Sequence, residues 1–143
     1  ISLATRPFNP RVTSITVGTR VAFPNFDTVR HHVYSFSQAK TFELKLYAGV
    51  PAAPVVFDKP GLAVLGCNIH DRMAAWVVVA DTPWFARTGA DGTARIDGAP
   101  AGAYRLASWH PGLPANSAPV MQSVQLGGSD QRETVQLAVD ATP

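Results

Sequence analysis

Between Arg11 and Ala80 the chain is a succession of short β-type runs, most of them separated by Pro- or Gly-containing turns, and no stretch among them has a helical period. TFELKLY (41–47) sets Phe42, Leu44 and Leu46 against Glu43 and Lys45. That alternation puts successive side chains on opposite faces of a strand. RVTSITV (11–17) passes through Gly18 into TRVAF (19–23), and PNFD then reads as a turn. HHVYSF (31–36), PVVF (54–57), LAVLGC (62–67) and AAWVVVA (74–80) continue the series. The chain is 46% hydrophobic and 15% charged, with 11 Gly and 12 Pro among 143 residues. This composition supplies a core and favours strands and turns over long helices, so the expected class is all-β.

The second half has a different texture. ADG (90–92) is a hairpin-type turn followed by TARI (93–96), and APAG (99–102) is another turn, leading into AYRLASW (103–109). HPGLPANSAP is a loop of about ten residues, longer than most connections. VMQSVQL (120–126) and ETVQLAV (133–139) read as two closing strands around GGSD. The expected module junction lies near Asp81–Pro83, which divides the chain into 1–82 and 83–143.

Charge and cysteine count narrow the function classes. The net charge is +2, with 8 basic and 5 acidic side chains in 1–82 against 4 and 5 in 83–143. There is no Lys/Arg run, so nucleic acid is not an expected partner. The single cysteine leaves no internal disulfide. No apolar stretch is long enough to cross a bilayer. The N-terminus, ISLATRPFNP, has neither the charged nor the apolar region of a signal peptide, and it reads as the start of a processed or truncated chain.

The single cysteine stands in GCNIHDRM (66–73), where Cys67, His70 and Met73 follow the spacing C-x2-H-x2-M. Taken singly, Cys67 is a small buried hydrophobe, Met73 core filler and His70 a loop histidine. Together, in a tight loop between strands, they bring thiolate, imidazole and thioether close to one another. A second imidazole from a distant strand would complete a set that suits copper, with soft thiolate and a weak axial thioether. Zinc is the rival, but its structural sites prefer more thiolates. His31 and His32 are both candidates for the second imidazole.

GTRVAFPNFDTVRHHVYSF followed by FDKPGLAVLGCNIHDRM resembles the cupredoxins, the type 1 blue-copper family. The match is nearest to bacterial methylamine utilization-type cupredoxin-like proteins with an amicyanin-like short ligand loop. The resemblance covers about residues 8–80 and implies a Greek-key β-sandwich with one mononuclear copper cycling between Cu(II) and Cu(I). It further implies periplasmic electron transfer with a protein redox partner such as a c-type cytochrome or a dehydrogenase, and no enzymatic turnover. The implied ligands are His31, Cys67, His70 and Met73. Cupredoxins commonly read His-Asn-Val where this chain has His31-His32-Val33, so His32 stands where the family has an Asn. His32, Asn68 and Asn25 are the candidates to support the ligand loops. Asn25 and Asp27 read as turn formers, with fixing the His31 loop as the alternative for both, and Tyr34, Phe36 and Trp76 as core.

TGADGTARIDGAPAGAYRL resembles the carboxypeptidase regulatory-like or transthyretin-like sandwiches, which implies a second small β-sandwich in 83–143 packed against the first. Within it, His110 of Trp109-His110-Pro111 is the residue with a possible contact to the copper site. The competing readings are copper binding or delivery without fast redox cycling, and a structural interaction module.

Overall fold

The computed structural model describes residues 1–3, 8–49, 53–67, 74–115 and 117–140, with Leu46 through its backbone alone. The chain divides into two compact units, Ile1–Ala94 and Arg95–Pro143.

The first unit is built from β1 (Ser2–Leu3), β2 (Phe8–Asn9), β3 (Val12–Thr16), β4 (Thr19–Val21), β5 (His31–Ser37), β6 (Lys40–Tyr47), β7 (Val55–Phe57), β8 (Gly61–Cys67) and β9 (Ala74–Ala80). Five of these strands form one sheet in the order β3-β9-β8-β5-β6, while β4 pairs with β7 and β1 with β2. β3 runs parallel to β9, and the other pairs are antiparallel. Gly18 makes the turn from β3 to β4 at φ 90°, a conformation glycine adopts without steric cost, and its N–H donates to Phe57 O at 2.7 Å.

The core lies between the large sheet and the smaller pairs. Leu3, Phe8, Val21, Phe23, Val55 and Phe57 form a single buried cluster with Val33, Ala63, Leu65, Cys67, Ala75, Val77 and Val79 of the large sheet. Phe42 bridges the layers, with ring centroids 5.5 Å from Phe23 and 6.1 Å from Phe57. Fully burying a side chain such as Phe57 contributes about 1.5–3 kcal/mol, so this cluster carries much of the unit's stability.

Parity along the strands corrects one expectation. On β5 the buried residues are His31, Val33 and Ser35. Tyr34 and Phe36 therefore stand on the outer face, where Phe36 is 73% exposed and the two rings stack at 5.1 Å. Trp76 likewise alternates with buried Ala75 and Val77, and the Arg11 guanidinium lies 5.4 Å from its ring centroid. None of the three aromatics is core. Two of the three inner positions of β5 are given to an imidazole and a hydroxyl, each with polar partners.

In the second unit β10 (Gly102–Ser108) pairs with β11 (Val120–Leu126) as an antiparallel ribbon. Residues 93–96, at the boundary of the two units, and 133–139, expected as strands, have no ladder among the described residues. Before TARI, the Asp91 carboxylate takes the N–H and the hydroxyl of Thr93, so a side chain satisfies backbone that a partner strand would otherwise use.

Candidate metal centre

Strand register brings the first two candidate ligands together. β5 and β8 are antiparallel with Val33 opposite Cys67 and Tyr34 opposite Gly66. The end of β8 therefore meets the start of β5. His31, two residues before Val33, shares its inward face, and its Nδ1 lies 3.5 Å from Cys67 Sγ. His31 is 0% exposed and Cys67 2%.

Across the other edge of β5, β6 carries a bulge. His31 pairs with Tyr47 and Val33 with Leu44, so three steps on β6 answer two on β5. Residues three apart on a regular strand face opposite ways, yet Leu44 and Tyr47 both pack against the core because of the extra residue. The Tyr47 hydroxyl donates to Phe23 O at 2.7 Å. Burial, and then the negative charge available on Cys67, push the Tyr47 phenol above its ordinary value of 10.0. It stays a neutral donor in the working pH range.

The second nitrogen of His31 is also engaged, with Nε2 2.9 Å from Asp27 Oδ2. Asp27 Oδ1 accepts the Thr28 N–H at 2.7 Å, and the Asp27 N–H donates to Asn25 Oδ1 at 2.9 Å. Asn25, 4% exposed, donates through Nδ2 to Val29 O and to Tyr47 O, both at 2.9 Å. Its backbone N–H reaches Gly49 O at 2.8 Å. Asn25 is thus the knot that ties the 25–29 turn to β6, and Asp27 is the arm it extends to the histidine. Read from sequence, Asp27 is a turn former or a residue that fixes the His31 loop, and its carboxylate lies against the buried imidazole four residues on.

His32 faces the other way. Its Nε2 lies 2.7 Å from Glu43 Oε1, and its ring meets Tyr34 edge-on at 6.3 Å, on the outer face of the sheet. His110 belongs to the second unit, where its Nδ1 accepts the Gly112 N–H at 2.9 Å. Asn68, His70 and Met73 lie outside the described residues. Among the described residues no three His, Cys, Asp or Glu side chains gather closely enough to hold a metal ion.

The two donors present do fit one. A metal–thiolate bond of about 2.3 Å and a metal–imidazole bond of about 2.0 Å, opened to roughly 110°, separate the donor atoms by about 3.5 Å. That matches the spacing of Sγ and Nδ1. Thiolate with imidazole is a borderline-to-soft pair of the kind that copper and zinc take.

No protein-family model matches the chain, and no curated protein matches it. Among solved structures, it is similar to the Cu-containing nitrite reductase NirK from Thermus scotoductus SA-01, at 25% identity and a TM-score of 0.50. That likeness covers 57% of this chain but only 22% of the reductase, so the chain spans about a fifth of its length. A purple cupredoxin from Nitrosopumilus maritimus is matched at 25% identity and TM-score 0.47, over 53% of this chain and 84% of that one. A mutant of amicyanin in its reduced Cu(I) form is matched at 20% identity and TM-score 0.47, over 56% and 79%. No helix among the described residues is long and apolar enough to cross a membrane. With two β-layers around one core and a partial likeness to a copper protein of solved structure, the chain has a cupredoxin-like β-sandwich fold.

Proposed function

We propose that the chain is an electron-transfer protein that holds one mononuclear type 1 copper, with His31, Cys67, His70 and Met73 as its ligands. The observation that carries this reading is the buried pair of Nδ1 and Sγ, 3.5 Å apart and facing one another. When bound, copper supplies a one-electron Cu(II)/Cu(I) couple. Cys67 provides the thiolate and His31 the imidazole, and both are held on interior strands of the five-stranded sheet. Burial keeps water from these two donors. His70 is the proposed edge through which electrons pass, and Met73 the weak axial donor, both on the resemblance of the loop.

The order thiol, imidazole, carboxylate in Cys67, His31 and Asp27 is shared with cysteine nucleophiles. A nucleophile needs an approach for its substrate, and Cys67 and His31 are almost wholly buried. An electron carrier has no such need, so we read the chain as a carrier and not an enzyme. A c-type cytochrome or a dehydrogenase is the proposed partner class, and the periplasm the proposed location.

The test is titration with Cu(II), followed by absorption and EPR. One equivalent is expected to give an intense sulfur-to-copper charge-transfer band, reversibly bleached by reduction. Stoichiometric binding without the band or the reversibility supports copper delivery instead. No binding leaves an interaction module.

A further inference from the structure

A neutral imidazole offers one lone pair and one N–H, and what faces each nitrogen decides which is which. At His31, Nε2 faces Asp27 Oδ2 at 2.9 Å and Nδ1 faces Cys67 Sγ at 3.5 Å. An ionised carboxylate only accepts, so the nitrogen beside it carries the hydrogen. Asp27 is itself held in place, because Oδ1 takes the Thr28 N–H and the Asp27 N–H is held by Asn25. The remaining oxygen is thereby presented to the ring. The lone pair of His31 then lies on Nδ1, on the side of the thiol.

We propose that Asp27 is a positioning residue that locks His31 as its Nε2–H tautomer and makes Nδ1 a stronger donor to Cu(II) than to Cu(I), lowering the reduction potential. This rests on the copper reading above. The physical reason is that a hydrogen bond to an anionic oxygen moves electron density into the ring and raises the basicity of the opposite nitrogen. The more highly charged oxidation state gains more from that density.

Asp27→Asn tests both halves. The Thr28 N–H still demands an acceptor at the Oδ1 position, so the new amide turns its NH2 towards Nε2. That pairing favours the opposite tautomer, with hydrogen on Nδ1 pointing at Sγ. Ring 15N chemical shifts of the copper-free protein are expected to show Nε2–H in the wild type and Nδ1–H in D27N. Cu(II) affinity is expected to fall by about ten- to a hundredfold in the variant, Cu(I) affinity by less, and the reduction potential to rise. A wild-type ring protonated at Nδ1 overturns the proposal even if D27N does not fold. So does a folded D27N with unchanged tautomer and an unchanged ratio of Cu(II) to Cu(I) affinity. If the wild type binds no copper, the copper reading falls and takes the potential with it, while the ring shifts still decide the tautomer lock.

Discussion

The Tyr34 ring occupies the space that a side chain at residue 66 would need: a Cβ added to Gly66 would lie 2.7 Å from both Cζ and Oη of Tyr34. The two residues are cross-strand partners, and Gly66 immediately precedes Cys67. For Tyr34 to give way it must leave its stack on Phe36 at 5.1 Å and its edge-on contact with His32 at 6.3 Å. Gly66→Ala is therefore expected to destabilise the protein by about 1–3 kcal/mol, the usual cost of forcing extra volume into a packed site. Tyr34→Ala in the same chain should recover part of the loss. Denaturant unfolding of both single variants and the double variant measures this, and strict additivity of the two changes would refute the contact.

Asn25→Ala should be costly for a different reason. It removes two donors, to Val29 O and Tyr47 O, and the acceptor of the Asp27 N–H, from a residue almost without solvent. Each buried polar group left unmatched costs about 1–3 kcal/mol. A loss of about 2–4 kcal/mol is expected after partial relaxation, read as a lower denaturant midpoint. A shift within 0.5 kcal/mol, the range of an ordinary surface substitution, would show that the knot is not structural.

The paired histidines separate cleanly in a copper titration. His31→Ala and Cys67→Ser are expected to abolish the charge-transfer band. His32→Ala is expected to retain it, because His32 is engaged with Glu43 on the outer face. The opposite result, with His32→Ala colourless and His31→Ala coloured, would move the ligand by one residue.

Tyr47 predicts the alkaline limit of stability. Its phenol titrates higher in the folded protein than at its ordinary value of 10.0. Above that value the unfolded chain loses the proton while the folded chain keeps it. The unfolded state then binds fewer protons, and stability falls as pH rises. The contribution is complete below pH 10.0 and is lost progressively towards the folded value. Thermal midpoints are expected to decline from about pH 10, and Tyr47→Phe to reduce the slope there. A slope identical in the variant would exclude Tyr47 as the group responsible.

The large sheet was readable because its strands carry their own punctuation. LAVLGC and AAWVVVA are apolar, bounded by turns or a loop, and appear as β8 and β9 within a residue or so. His31 and Cys67 were readable as residue types, though their meeting depends on a register no single strand encodes. The aromatics of β5 misled, since apolar bulk suggested core while two of the three inner positions went to His31 and Ser35, polar groups that had first to find partners. The bulge on β6 left its trace only in Tyr47 facing inward three residues after Leu44. Residues 133–139 alternate well enough for a strand, but a ladder needs a neighbour, and among the described residues none pairs with them.

β8 and β9 are both interior strands of the five-stranded sheet, and their final rung joins Gly66 to Ala74. The two strands that flank residues 68–73 are thus paired to each other and each is flanked on both sides. Doubling the length of a flexible connection costs only about 0.6 kcal/mol in closure entropy. Changes of length between Cys67 and Ala74 are therefore expected to cost the frame that presents His31 and Cys67 little stability.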